Sequence, residues 1–270
     1  MPELPEVEIL VRHLAPLMRG RTIQDITVHR AKSVRPQSVR AFRNGILGSV
    51  IQGVRRRAKY LLFDLQHPTR GATLLLGHLG MTGRMYVQSA RATLPKHAAV
   101  SLRLNRGVFV FEDTRYFGRM TLDSAPLQNL GPEPLTNAFD GEFLFAGLRR
   151  CGQPIKPKLL DQSFLAGVGN IYASEALHRA GIHPFRQAGA IASHRLDRLV
   201  ESIRRVLQAA IAAGGTTLKD FQDVEGNPGY FSRSLAVYGR AGAACLRCDG
   251  TIRQRTLSNR ATYWCPRCQR

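Results

Sequence analysis

Apolar residues recur at helical spacing over residues 5–19: Val7, Leu10, Val11, Leu14, Leu17 and Met18 share one face, and Gly20 supplies a stop. Leu4 extends that face, and Pro16 falls in the last turn. From about 22 to 122 the period shortens to that of strands. Ile23, Ile26 and Val28 come first, then Val50 to Val54, Tyr60 to Phe63, Thr73 to Leu76, and the alternating Val100 to Leu104. Asn105-Arg106-Gly107 reads as a hairpin turn into Val108 to Phe111. Many short strands with Gly and polar turns predict an antiparallel sandwich or barrel.

At Gly131-Pro132-Glu133-Pro134 the texture changes to a linker and then to helices, expected over 140–150, 157–165, 170–180 and Ser193 to Ala213. The last has Ser193 at its cap position, a face of Leu196, Leu199, Val200, Ile203, Val206 and Leu207, and Gly214-Gly215 as its end. Gly167 and Gly169 form a tight turn before Asn170, which either aims backbone N–H groups at a phosphate or packs two helices closely. Asp220 to Ser234 reads as a long loop, either a lid or a plain insertion. The whole is an α+β multidomain chain of 270 residues, long enough for a real core. Expected boundaries are 1–130, 135–225 and 236–270.

Charge narrows the partners. Lys plus Arg number 39 against 19 Asp plus Glu, a net +20. Such a field attracts a polyanion, most plausibly nucleic acid, with an affinity that falls steeply with salt. No apolar run is long enough to span a membrane, and the acidic, proline-rich start is no signal peptide, so a cytoplasmic address is expected.

Five cysteines remain to be explained. Cys245 and Cys248 form one CxxC pair, sixteen residues follow, and Cys265 and Cys268 form another. That spacing predicts a closed, structural four-thiolate zinc site, with an iron–sulfur cluster as the minor alternative. Arg253, Arg255, Thr256 and Arg260 lie between the pairs as a basic β-hairpin suited to phosphate. Cys151 stands alone with no catalytic partner nearby.

Candidate chemistry begins at the N-terminus. Clipping of Met1 before the small Pro2 exposes a secondary amine, whose ordinary pKa is about 7.7–8.0 against about 10.4 for a lysine. A neutral amine attacks a masked aldehyde and yields an iminium, an electron sink that acidifies the next carbon. Glu3 stands beside it as a proton donor or acceptor. The same residues are also ordinary helix-start chemistry. Lys59 follows Arg55-Arg56-Arg57-Ala58, either entering a site while the arginines stay outside or belonging to a solvated basic edge. Met81 in a glycine-flanked loop, and Phe117 beside Arg115, suit wedging into a base stack, or else belong to the core.

Taken together, PELPEVE, RRAKY, HLGMTG, DTRYFG, LGPEPL, IKP with Leu160-Asp161, GVGNIYASE, GIHP, GGTTLKDF, GYF, VYGR and the cysteine pairs resemble the bacterial formamidopyrimidine-DNA glycosylases, end to end. The resemblance implies a β-sandwich N-terminal domain, a helical domain with a helix–two-turns–helix motif, a zinc finger, and duplex DNA bound in a cleft between domains. The implied activity is removal of oxidised purines, with abasic-site lyase activity by β,δ-elimination, in a monomer. By resemblance, Pro2 is the nucleophile and Glu3 the acid at the opening deoxyribose. Lys59 serves β-elimination and damaged-base recognition, and Arg260 serves phosphate binding and δ-elimination. Met81, Arg115 and Phe117 fill the gap left by the flipped base. His97, Lys156, Asn170, Arg150 and Tyr238 match DNA-contacting positions, and Glu6 and Glu175 the pocket. Two departures stand out: Thr114 replaces a common proline, and Arg149-Arg150-Cys151-Gly152 replaces a lysine run.

Two other readings share much of this pattern. An endonuclease VIII-type enzyme removes oxidised pyrimidines by the same chemistry. A non-catalytic zinc-finger DNA-binding protein accounts for the charge and the cysteines but not for a free proline amine.

Overall fold

The computed structural model describes residues 2–216 and 231–270. These residues form two compact units, residues 2–128 with Thr216, and residues 129–215 with 231–270. Of the loop expected over 220–234, residues 220–230 lie outside the described residues, and Phe231–Ser234 form a 3-10 turn.

The first unit opens with α1 (Leu4–Met18). Glu3 is extended, at φ −109° and ψ −169°, and its N–H donates to Glu6 Oε2 at 2.9 Å, so a side chain satisfies a backbone donor that the helix leaves over. Pro5 sits in the first turn, where no intrahelical N–H is lost. Leu4, Val7, Leu10, Val11, Leu14 and Met18 are buried as the spacing predicts. Leu17 is not: it is 42% exposed. At 3.6 residues per turn it lies about 80° round from Val7, at the margin of the stripe.

The strands are β1 (Ile23–Val28), then after helix α2 (Val39–Ile46) β2 (Val50–Arg57), β3 (Tyr60–His67), β4 (Gly71–His78), β5 (Gly83–Gln88), β6 (Ala98–Leu104), β7 (Val108–Asp113) and β8 (Arg119–Thr121). They make two antiparallel four-stranded sheets, ordered β1-β6-β7-β5 and β2-β3-β4-β8. The core holds Phe63, Leu75, Val100, Phe109, Phe111 and Met120 together with the α1 stripe. Phe63 and Phe109 meet edge to face at 5.6 Å. The expected hairpin is present, with Gly107 at φ +81° and the Leu104 N–H donating to its carbonyl. The hydrophobic pattern does not reveal α2, β5 or β8. α2 is set by a local cap, Ser38 Oγ accepting from the Ala41 N–H, and β8 has only three residues. A short helix α3 (Ala125–Gln128) closes this part of the chain.

The second unit contains α4 (Gly141–Leu148), α5 (Ile155–Leu160), α6 (Asn170–Ala180) and α7 (Ser193–Ala212). Two expectations need correction. The helix expected over 157–165 runs earlier and ends at Leu160, because the Asp161 carboxylate takes the Ser163 N–H and hydroxyl and turns the chain. Ser193 does not cap α7: Ala192 holds the extended cap position and Ser193 is already helical. The six residues expected on one face of α7 are all buried. A final hairpin pairs β9 (Arg253–Leu257) with β10 (Arg260–Trp264). Ser258 and Asn259, both at positive φ, form its two-residue turn.

Candidate active site and DNA-contact residues

Pro2 is buried at the head of α1, and Glu3 beside it is 2% exposed. Glu6 uses both oxygens: Oε2 accepts from the Glu3 N–H and Oε1 from the Thr216 N–H, each at 2.9 Å. Glu6 therefore fixes the Pro2-Glu3 backbone and the point where the chain leaves for residues 217–230. The helix is also pinned from its outer face. Glu8 meets Arg56 on β2 at 2.8 Å and Arg12 at 2.9 Å. Burial works against the Glu8 charge, yet the two guanidiniums hold its carboxyl below the ordinary range.

Lys59 lies with Ala58 at the tip of the β2–β3 hairpin and is only 6% exposed. Ala58 takes the left-handed conformation, φ +52°, that makes this tight tip. The neighbouring arginines turn to carboxylates, Arg55 to Asp64 at 2.8 and 3.0 Å and Arg56 to Glu8. The Tyr60 ring packs tilted against His78 at 4.8 Å, and His78 Nδ1 accepts from the Gly80 N–H at 3.1 Å. Burial, followed by the Lys59 and Arg119 charges, pushes His78 down to about 4. His78 is thus a neutral ring beside a cationic cluster.

The three wedge candidates are at the surface: Met81 is 39% and Phe117 49% exposed, and Arg115 lies 4.8 Å over the Phe117 ring. Their loops are held by a residue the sequence reading passed over. Asp113 is fully buried, and its carboxylate accepts from Thr82 Oγ1 and from the N–H groups of Arg115 and Gly118. The loops approach so closely that a Cβ on Gly80 would lie 2.5 Å from the Gly118 nitrogen. His97 is half-buried; its ring meets Tyr116 edge to face and its carbonyl accepts from the Asp113 N–H.

In the second unit the glycine turn is organised by Gln162, which donates to the Leu160 and Val168 carbonyls and accepts from the Gly167 N–H. Gly167 needs its freedom there, at φ +95°. Asn170 opens α6 and donates through Nδ2 to the Ala261 carbonyl at 3.0 Å, while its buried Oδ1 has no hydrogen-bond partner. Lys156 is 1% exposed, and its amine donates to Thr262 Oγ1 at 2.8 Å and the Ala261 carbonyl at 3.2 Å. Both residues expected at phosphate therefore also grip β10, the strand whose exposed first residue is Arg260. Glu175, expected in a pocket, accepts from the backbone N–H groups of Ala236, Val237 and Tyr238 at 2.8–2.9 Å. Burial outweighs those bonds and raises its carboxyl above the ordinary range. Tyr238 packs edge to face on Tyr263, and Arg150 is exposed beyond the end of α4.

Cys245, Cys248, Cys265 and Cys268 bring their sulfurs within 4.8 Å of one another, with separations of 3.2, 3.5 and 3.8 Å among them. Four zinc–sulfur bonds of about 2.3 Å at tetrahedral angles place sulfurs about 3.8 Å apart, so this soft, four-thiol donor set fits zinc. Gln269 braces the second knuckle, accepting from the Cys265 N–H and donating to the Ile182 carbonyl.

Family models match the chain in order: the formamidopyrimidine-DNA glycosylase N-terminal domain over residues 1–120, the H2TH domain of that enzyme over 130–222, and the zinc finger found in FPG and IleRS over 242–270. A formamidopyrimidine-DNA glycosylase of Alcanivorax borkumensis is 44% identical over the full length of both chains. The Lactococcus lactis FPG mutant G226P, solved in complex with a Fapy-dG containing DNA, superimposes with a TM-score of 0.92 at 32% identity, covering all of both chains. MutM in complex with carbocyclic 8-oxo-G containing DNA gives 0.91 at 33%, again over both chains in full. Sheets, helices, thiol cluster and full-length relatives agree, and the chain belongs to the formamidopyrimidine-DNA glycosylase family.

Proposed function

We propose that the chain is a base-excision DNA glycosylase that releases oxidised purines, 8-oxoguanine and formamidopyrimidines, from duplex DNA and then cleaves the abasic strand. The observation that carries this reading is the buried Pro2-Glu3 pair, fixed by Glu6 at the head of a helix docked on the core. The family supports it: the relatives bear the glycosylase name, and solved neighbours include complexes with Fapy-dG and with carbocyclic 8-oxo-G containing DNA.

The sugar carbon under attack is hidden in the duplex, so the nucleotide must leave the stack at a cost of a few kcal/mol. Met81, Arg115 and Phe117 offset that cost by filling the space, with Arg115 facing the orphaned cytosine. The Pro2 nitrogen, freed by removal of Met1, attacks C1′, and the base departs with the C1′–N bond electrons and a proton. Glu3 protonates the ring oxygen as the sugar opens to an iminium. The iminium acidifies C2′; loss of that proton expels the 3′ phosphate, and a second elimination expels the 5′ phosphate. Lys59 serves the first elimination and Arg260 the second, each setting a cation against a departing phosphate. Asn170, Lys156, His97, Arg150 and Tyr238 hold the backbone, and Glu6 and Glu175 shape the pocket around the flipped base. Zinc bound to the four cysteines gives the hairpin the rigidity to carry Arg260.

Duplexes with 8-oxoguanine opposite cytosine and with thymine glycol opposite adenine test the substrate class. Faster release of 8-oxoguanine is expected; preference for thymine glycol would favour the endonuclease VIII-type reading.

A further inference from the structure

Helix α6 is fastened to the finger at both ends. Asn170 at its start donates to the Ala261 carbonyl. At its last turn the Arg247 guanidinium donates to the carbonyls of His178 and Arg179, at 3.0 and 3.3 Å, taking up groups the helix end leaves over. On that same turn the His178 ring points at the metal site: its Nε2 lies 3.5 Å from Cys245 Sγ. His178 is 2% and Cys245 1% exposed, so no water competes for this contact. A zinc-ligating sulfur is a thiolate without a proton, so the nitrogen facing it must be the one that carries hydrogen. The same sulfur also receives the Arg247 backbone N–H at 3.5 Å.

We infer that His178 is a positioning residue of the zinc site, donating an Nε2–H hydrogen bond to the Cys245 thiolate and locking α6 to the first knuckle. Four thiolates around one Zn²⁺ leave a net negative charge, and a buried donor lowers the cost of keeping it out of water. The bond also gives zinc a hold on the helix whose other end carries Asn170.

The test needs no DNA. His178→Phe keeps an aromatic ring of similar size and removes the donor. Zinc release to a chromogenic chelator is expected to be about tenfold faster than in wild type. In the Co(II)-substituted protein the thiolate-to-metal charge-transfer band is expected to move to longer wavelength. Leu177→Ala truncates an equally buried α6 side chain that carries no hydrogen-bond donor, and it should lower stability while leaving that band in place. Wild-type release and spectrum in His178→Phe would overturn the assignment, as would an equal band shift in Leu177→Ala. If the Phe variant does not fold, His178→Gln, which keeps an N–H, is compared with His178→Met. Slower release from the Gln variant supports the bond, and equal release overturns it.

Discussion

The Asp113 carboxylate accepts the Thr82 hydroxyl at 2.5 Å, joining two loops that lie 31 residues apart in sequence. Its two oxygens also take the N–H groups of Arg115 and Gly118 at 3.1 and 2.7 Å. One buried group thus sets the relative positions of Met81, Arg115 and Phe117. Asp113→Ala strands three donors and is expected to cost about 3 kcal/mol or more in denaturant unfolding, against about 1 kcal/mol for Thr82→Val. Lesion excision should fall in Asp113→Ala more than binding to undamaged duplex. Equal loss of both would mean that the loops do not act on the flipped base.

Gly80 is expected to tolerate no side chain. It sits at φ +63°, and an added Cβ would meet the Gly118 nitrogen at 2.5 Å and the Phe117 carbonyl carbon at 2.7 Å, both backbone atoms. Gly80→Ala should destabilise by about 2 kcal/mol or more. At Gly53 on β2 an added Cβ would meet nothing within 4 Å, so Gly53→Ala should change stability by less than about 1 kcal/mol. A thermal or urea melt of both variants checks the contrast.

His78 predicts a pH dependence. Its folded pKa is about 4 against an ordinary 6.5. Below pH 6.5 the unfolded chain takes up a proton that the native site refuses, so stability falls as pH drops from 6.5 toward 4 and this contribution then levels off. The loss is at most about 3 kcal/mol, less where solvent reaches the ring. Unfolding of wild type and His78→Gln from pH 7 to pH 4.5 should show a shallower decline in the variant. Parallel curves would mean that His78 protonates freely in the native state.

Cys248→Ser should lose zinc and duplex affinity together, since Lys156 and Asn170 grip the hairpin that the metal site steadies. Metal analysis and a binding titration at fixed salt check this. Full zinc occupancy in the variant would exclude Cys248 as a ligand.

Much of this was legible in the chain because the signals were local. The α1 stripe, the Asn105-Arg106-Gly107 turn and the two CxxC pairs each lie within a short window and show in the structure at those residues. What stayed hidden depends on distant partners. Asp113 looks like any strand-end acid until β5–β7 pairing brings Thr82 to it and the following loop turns the Gly118 N–H back onto it. Nothing near Lys156 in the sequence shows that its amine donates to Thr262, 106 residues on. Nothing in the sequence around His178 announces Cys245, 67 residues away. The misplaced end of α5 has a different cause, because Asp161 chooses between helix and turn through one side-chain hydrogen bond that spacing does not encode.

Capture of the sugar–protein link tests the mechanism most directly. Borohydride is added to wild-type protein with an 8-oxoguanine:cytosine duplex, and the adduct is digested and mapped by mass spectrometry. A single adduct on the peptide that begins at Pro2, with Met1 absent, is the result expected. An adduct on any other residue, or an active preparation whose chains all retain Met1, would contradict the proline amine as nucleophile.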